Sequence, residues 1–301
     1  MKQKSVLTIG NFDGIHLGHQ KLINRMLEIS REKDLRSVVI SFKEHPSFVL
    51  RANAKPRILC PPLLKIRELK DYGIDVVELL KFDQELASTP ALEFLTEYLI
   101  PVWHPEVIVM GYDSHFGYKR EGDYQFMINH ADEFGYEVEY VPPLQSSGMP
   151  VSSSTIRELL DKGDIVSANQ LLGKPYRLLG TIGHGFGRGK GFGFPTANLV
   201  LSNEHQLIPC QGIYLSKVHL STGTYFGLTN IGSCPTVKTD GIVEIETYLL
   251  DFTGDLYDSE MELELIRYLR EERMFCNVEE LIATMNLDLA EARSLINEGV
   301  L

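Results

Sequence analysis

The first 165 residues alternate short apolar runs with stretches of helical period. KSVLTIG (4–10), SVVISF (37–42), DVVELL (75–80) and EVIVMG (106–111) are runs rich in valine and isoleucine. Between them, HQKLINRMLEISREK (19–33) and ALEFLTEYLI (91–100) place apolar residues at helical spacing. Apolar strands separated by helices describe a parallel sheet covered on both faces. The pattern predicts a doubly wound, Rossmann-like α/β domain, with ligands at the carboxyl ends of its strands.

After residue 175 the pattern changes. GIYLSKVHL (212–220), TYFGLTNIG (224–232), VEIETYLL (243–250) and MELELIRYL (261–269) read as strands, with the turn clusters STG, KTDG and FTGD between them. In MELEL the alternation puts Met261, Leu263 and Leu265 on one face. Closely spaced strands with short turns predict an antiparallel barrel or sandwich. NVEELIATMNLDLAEARSLI (277–296) reads as one or two closing helices. The change of pattern near LLGKPY (171–176) sets the expected domains at 1–173 and 174–301. No repeat or low-complexity segment interrupts either half.

Composition narrows the function classes. Of 301 residues, 44% are hydrophobic, and 29 basic against 41 acidic side chains give a net charge of −12. Such a balance opposes a broad nucleic-acid surface, which needs an excess of basic residues, but leaves room for a small anionic ligand held by a few donors. Cys60, Cys210, Cys234 and Cys276 form no C-x-x-C pair, so neither a zinc site nor a disulfide framework is expected. The N-terminus lacks the pattern of a signal peptide, and no apolar run reaches membrane length. The expectation is a soluble cytoplasmic protein, with no nucleic-acid or membrane partner and an oligomeric state left open.

Two motifs in the first half carry chemistry. In GNFDGIHLGHQKLI (10–23), Gly10 and Gly14 make a tight strand-to-helix turn, and His16 and His19 follow three residues apart. At helical spacing both imidazoles would face one ligand beside a helix N-terminus, where free N–H groups and the dipole favour phosphate. The plainer alternatives are a zinc pair or two unrelated surface histidines. In PVSSSTIRELL (150–160), Thr155 and Glu158 fit a capping box, with Thr155 as N-cap. Arg157 fits less simply, because a cation in the first helical turn opposes the dipole. A nearby phosphate would remove that conflict.

A third motif opens the second half. GFGRGKGFGFPTAN (185–198) fails the Walker pattern, because residue 184 is His and residue 191 is Gly, and no register gives G-x-G-x-x-G. Thr196 and Asn198, two apart in an extended chain, would share a side and could hold Mg²⁺ with nucleotide oxygens. A glycine-rich barrel hairpin is the equal alternative. Downstream, Glu244, Glu246, Asp251 and Asp255 are mostly solvated carboxylates by expectation, and one of them could act as a general base.

GNFDGIHLGH with SSSTIR resembles the nucleotidylyltransferase superfamily, whose His-x-Gly-His and Ser/Thr-x-x-Arg signatures bind ATP phosphates. HGFGRGKGFGFPTANL, NIGSCPT, ETYLLDFTGDLY and LREERMF resemble riboflavin kinase. In this order, from about residue 5 to residue 297, they are similar to the prokaryotic bifunctional riboflavin kinase/FAD synthetase family. The resemblance implies a Rossmann-like FMN adenylyltransferase domain followed by a β-barrel riboflavin kinase domain with a closing helix. It implies the substrates riboflavin, FMN and ATP, with Mg²⁺ as cofactor.

Residue by residue, the likeness makes Glu246 the general base that lets the ribityl hydroxyl of riboflavin attack ATP. Thr196 and Asn198 would place the metal. The loop bearing Gly185, Gly187, Arg188, Gly189, Lys190 and Gly191 would wrap the nucleotide, and Arg270 would shape the flavin side. In the first domain His16, His19 and Arg157 would stabilise the ATP phosphates. Gly10, Asn11, Asp13, Gly14, Ser153, Ser154 and Thr155 would line the same site. GYDSHFGYKREGD (111–123) would contribute Asp113 and Phe116 toward the flavin.

Three positions depart from the family pattern: Ser114 where an aromatic is common, Phe192 for an aliphatic, and Asp258 for a glycine. Ser114 puts flavin packing in question, Phe192 reads as a packing change, and Asp258 suggests a turn built differently. Two other readings stay open, a chain with only one of the activities and a flavin-binding regulatory module without turnover.

Overall fold

A computed structural model describes residues 3–51, 56–146, 148–184, 194–233, 243–254 and 256–299. The chain divides into two compact units, Met1–Thr155 and Ile156–Leu301.

The first unit is built on a parallel sheet of β1 (Ser5–Ile9), β2 (Arg36–Phe42), β3 (Val76–Leu80), β4 (Pro105–Gly111) and β5 (Glu137–Val141). Their order is β3-β2-β1-β4-β5, and the neighbouring pairs are all parallel. The central strands are buried on both faces. Val6, Val39, Val107 and Val109 join a core with Ile23, Met26 and Leu27 of helix Leu17–Lys33. Leu7, Ile9, Val38, Ile40, Ile108 and Met110 form the opposite core, with Leu95, Leu99 and Trp103. The period-two pattern of each strand is thus split between two hydrophobic layers, as the continuous apolar runs predicted.

The stretch expected to be helical over 91–100 is more irregular. A short α-turn at Ala91–Glu93 continues as a π-helix over Phe94–Trp103, with Pro101 inside it. Proline supplies no N–H to an α-helical ladder, so the chain passes it in the wider form. Strand β5 was not expected, because EVEYV alternates polar and apolar residues in the manner of a sheet edge. A small hairpin, β6 (Gln145–Ser146) with β7 (Met149–Pro150), leads into helix Ser153–Asp161.

The second unit is a closed barrel. Its strands are β8 (Tyr176–Gly183), β9 (Thr196–Leu201), β10 (Gly212–Leu220), β11 (Gly223–Ser233), β12 (Val243–Leu249) and β13 (Glu260–Arg270). They close in the order β10-β11-β12-β9-β8-β13. Met261, Leu263 and Leu265 are fully buried on one face, as the MELEL alternation required. The carboxylates between them pair instead: Arg177 reaches Glu262 and Glu264, each at 3.1 Å. Across the interior, Ser216, Thr229 and Thr247 form a buried chain of hydroxyls at 2.7 and 2.9 Å.

The closing segment is a single helix, Val278–Asn297, capped by the Asn277 side chain on Glu280 N–H at 2.8 Å. Leu289, Ala292, Leu295 and Ile296 pack it on Leu215, Leu228 and Leu250 of the barrel. Helix Ile165–Leu172, which precedes β8, is tied to the same barrel through Asn169. Its amide donates to the Leu265 carbonyl at 2.9 Å and accepts from Tyr176 N–H at 2.8 Å. These bonds explain why the compact division falls ahead of the change in sequence pattern near 173.

Candidate active sites

The first site lies beyond the carboxyl ends of β1 and β4, where the strand order reverses direction about the centre of the sheet. Parallel sheets open a crevice at such a point. Here the cleft has a volume of about 510 Å³, and Asn11, Asp13, His16, His19, Asp113 and Ser153 are among its walls.

The backbone after β1 is sharply bent. Phe12, Gly14 and Ile15 have φ values of 49°, 88° and 43°, so the left-handed region recurs within four residues. Only Gly14 takes that conformation without strain. His16 then serves as the N-cap of helix Leu17–Lys33, its Nδ1 accepting from His19 N–H at 3.3 Å. This bond places the proton of the neutral His16 ring on Nε2. The two imidazoles stack with centroids 3.7 Å apart, and the Phe12 ring meets His19 edge-on at 5.2 Å. The histidines therefore meet as expected, but through a cap and not as two positions on one helix face. Gly18 between them has its own reason, since a Cβ there would sit 3.2 Å from the His16 ring.

SSST joins this loop directly. Ser153 Oγ donates to the Asp13 carbonyl at 2.8 Å across 140 positions of sequence. Asp13 is almost fully buried, and its carboxylate accepts from Leu59 and Cys60 N–H at 2.8 and 3.0 Å. The cap of the following helix is Ser152, whose Oγ accepts from Thr155 N–H at 3.2 Å. That corrects the expectation of Thr155 as N-cap. The serine run allows the cap to slip by one turn, and Thr155 becomes a helical residue. Ser154 lines the cleft, whereas Arg157 follows in the helix at the start of the second unit.

Phe116, which also lines the cleft, exchanges backbone hydrogen bonds of 2.9 and 3.0 Å with Gly122. The Phe116 ring lies over Gly122, where a Cβ would approach to 2.7 Å. Ser114 uses its Oγ to accept from Gly111 N–H at 3.0 Å, making the departure from an aromatic a turn-forming residue.

The second site is written across strands. Asn198 of β9 stands directly opposite Glu246 of β12, and Thr196 opposite Tyr248. Directly paired residues in an antiparallel ladder point to the same face. Thr196, Asn198 and Glu246 therefore share a half-buried face of the barrel. On its other side Glu246 stands opposite Asn230 of β11, whose Oδ1 is buried without a hydrogen-bond donor among the described residues.

The FAD synthetase family model matches residues 1–155, and the riboflavin kinase family model matches residues 172–296. The chain belongs to the bifunctional riboflavin kinase/FMN adenylyltransferase family. The bifunctional enzyme of Listeria monocytogenes is 36% identical over 96% of this chain and 91% of its own length. That of Bacillus subtilis is also 36% identical, over 96% and 92%. That of Escherichia coli is 33% identical, over 96% and 91%. A crystal structure of a macrolide-efflux protein from Streptococcus pneumoniae has a TM-score of 0.89 at 30% identity, covering 97% of this chain and 95% of that one. Among the described residues of the present chain, no helix is long and apolar enough to cross a membrane.

Within this bifunctional family pattern, Gly185, Gly187, Arg188, Gly189, Lys190 and Gly191 of the glycine loop lie outside the described residues, as do Phe192, Cys234 and Asp255. Arg270 is engaged by the closing helix: its Nε and Nη2 donate to the two Asp288 oxygens at 2.8 and 2.7 Å. Asp288 was not legible from the sequence, being one acid among several in a helix. Asp251 is likewise taken up by Arg293 at 2.6 Å, which lowers its pKa through the hydrogen bond. Asp258 has φ +61° and donates its N–H to Ile182 at 2.9 Å. The conformation is one that glycine favours, so the turn keeps a glycine-like shape with an aspartate in it.

The residues present suit a magnesium ion that arrives with a nucleotide. Thr196 and Asn198 offer hard oxygens on one face, and the carboxylate of Glu246, opposite Asn198, adds a negative charge beside them. Mg²⁺ is commonly held by one or two carboxylates together with substrate phosphates.

Proposed function

We propose that the barrel of this bifunctional enzyme phosphorylates riboflavin at the face bearing Glu246, and that the cleft of the parallel sheet adenylylates the FMN produced. The observation that carries the reading is the direct pairing of Asn198 with Glu246, Thr196 lying two residues along the same face. It supports a base and two oxygen ligands converging on one substrate.

In the first step the terminal ribityl hydroxyl attacks the γ-phosphorus of ATP. Its proton passes to Glu246, the new P–O bond forms, and ADP leaves with the electrons of the broken bond. Thr196 and Asn198 hold the metal and the phosphates. Bound Mg²⁺ supplies charge neutralisation on the phosphate oxygens. Gly185, Gly187, Arg188, Gly189, Lys190 and Gly191 are assigned to the nucleotide, and Arg270 to the flavin side.

In the second step an FMN phosphate oxygen attacks the α-phosphorus of a second ATP, and pyrophosphate leaves. No proton need be removed from the attacking phosphate oxygen, so the protein's task is positioning and charge stabilisation. His16, His19 and Arg157 take the phosphates. Gly10, Asn11, Asp13, Gly14, Ser153, Ser154 and Thr155 form their bed. Asp113 and Phe116 are assigned to the flavin. Residues 1–173 are the functional adenylyltransferase module, because Arg157 belongs to that motif, and residues 174–301 are the kinase. A cytoplasmic location belongs to the same proposal and is consistent with the use of ATP in both steps.

The test is incubation with riboflavin and MgATP, followed by chromatographic separation of riboflavin, FMN and FAD. Both products are expected. FMN alone would leave a kinase, and no product from riboflavin or from supplied FMN would leave a flavin-binding module.

A further inference from the structure

Lys65 is a cation almost fully buried inside the first unit, 4% exposed. It projects from helix Pro62–Asp71. Its Nζ donates to the Asn11 carbonyl at 2.7 Å, to Ser41 Oγ at 3.2 Å and to the Phe42 carbonyl at 3.4 Å. An ammonium has three protons to place, and these three acceptors match them. Ser41 hands its own proton to the same Asn11 carbonyl at 3.1 Å. Burial lowers the Lys65 pKa, while the nearby Asp13 carboxylate acts to raise it.

A buried cation is expensive, and the segment it grips explains its presence. Asn11 begins the bent loop in which Phe12 and Ile15 occupy left-handed backbone, a region hostile to large and β-branched residues. The Asn11–Phe12 peptide is trans. Drawing the Asn11 carbonyl onto Lys65 therefore turns the Phe12 N–H the opposite way. Asn11, Phe12 and Asp13 line the cleft, whereas Lys65 stands behind that wall. Asp13, two residues on, is fixed independently by Leu59, Cys60 and Ser153.

We propose that Lys65 is a positioning residue for adenylyl transfer. It holds the Asn11 carbonyl out of the cleft, so that the strained loop presents N–H groups to the ATP phosphates. Its charge sits beneath the loop and favours an anion above it. The inference rests on assigning adenylylation to the first unit. It adds to the histidine and serine motifs a residue that touches no substrate.

The experiment uses the full chain with Lys65→Met and, separately, Ser41→Ala. FAD formation from FMN is followed at varied MgATP, with FMN formation from riboflavin as the internal standard for an intact barrel. For Lys65→Met the expected result is a fall of about 100-fold in kcat/KM for ATP, with a raised KM, and FMN formation within about twofold of wild type. Ser41→Ala keeps the charge but loosens the carbonyl, and is expected to raise KM for ATP about threefold to tenfold at nearly constant kcat.

A folded Lys65→Met chain with wild-type KM for ATP overturns the proposal, even if its kcat falls, because a merely structural lysine would reduce only the active fraction. If thermal unfolding shows that Lys65→Met has lost the first unit, Ser41→Ala decides, and an unchanged KM for ATP overturns it. Wild-type protein that makes no FAD would instead reject the adenylyltransferase assignment itself.

Discussion

On the proposed assignment, the two units handle phosphate with different parts of the backbone. In the parallel sheet the site is made of loops beyond the strand ends, above all Asn11–His16, with Phe12 and Ile15 in left-handed conformation. In the barrel it lies on the strands themselves, with Asn198 of β9 facing Glu246 of β12. A loop site depends on local backbone shape, held by bonds such as Ser153 to Asp13 and Lys65 to Asn11. A strand-face site depends on register: a slip of one residue would send Glu246 to the opposite face. The first is vulnerable to loss of a prop, and the second to loss of pairing.

The largest effect that separates the two belongs to Glu246. Glutamine preserves its shape and one acceptor oxygen, but its NH2 donates where the carboxylate accepted, and it cannot take a proton at the operating pH. Glu246→Gln is expected to slow FMN formation by about 10²–10⁴-fold, while FMN supplied directly is still converted to FAD. The mirror experiment is His19→Ala. Its ring stacks on His16 and lines the cleft, so its loss removes the phosphate partner proposed there. FAD formation should fall about 10²–10³-fold, with FMN formation unchanged. Chromatography of both reactions for both variants gives a two-by-two result. If either substitution in a folded chain stopped both steps, the assignment of one site per unit would be wrong.

How legible each site was follows from the same contrast. GNFDGIHLGH is contiguous, so its glycine turn and paired histidines could be read directly, and a parallel sheet, though neither its strand order nor β5, followed from the apolar runs. What could not be read was the capping: three serines in a row hide which one accepts the helix N–H, and His16 looked helical until it proved to be the N-cap. Lys65 was invisible because a lone lysine in PPLLKIRELK reads as a solvated helix residue. In the barrel, Thr196 and Asn198 could be linked to Glu246 only through family likeness, since no local pattern encodes which strands pair. Asn230 opens NIGSCPT, but nothing in that motif says that it faces Glu246, and Asp288 carries no signal in sequence at all. Their importance arises from register and from the docking of the closing helix.

The smallest effect tests whether backbone strain means the same thing in both units. Asp258 adopts φ +61° on an exposed turn between β12 and β13, where its N–H holds the Ile182 carbonyl. Aspartate tolerates that region better than most residues, but glycine enters it freely. Against this relief stands the greater entropy that glycine gives the unfolded chain. Asp258→Gly is therefore expected to gain only about 0.5 kcal/mol, raising the barrel's melting temperature by about 2 °C, with FMN formation unaltered. Scanning calorimetry with a parallel kinase assay measures both. A fall in melting temperature would mean that the aspartate side chain does more than occupy the turn. At Phe12 the corresponding change could not be read so simply, because its buried ring packs beside His19 and strain there is bound to the site's own packing.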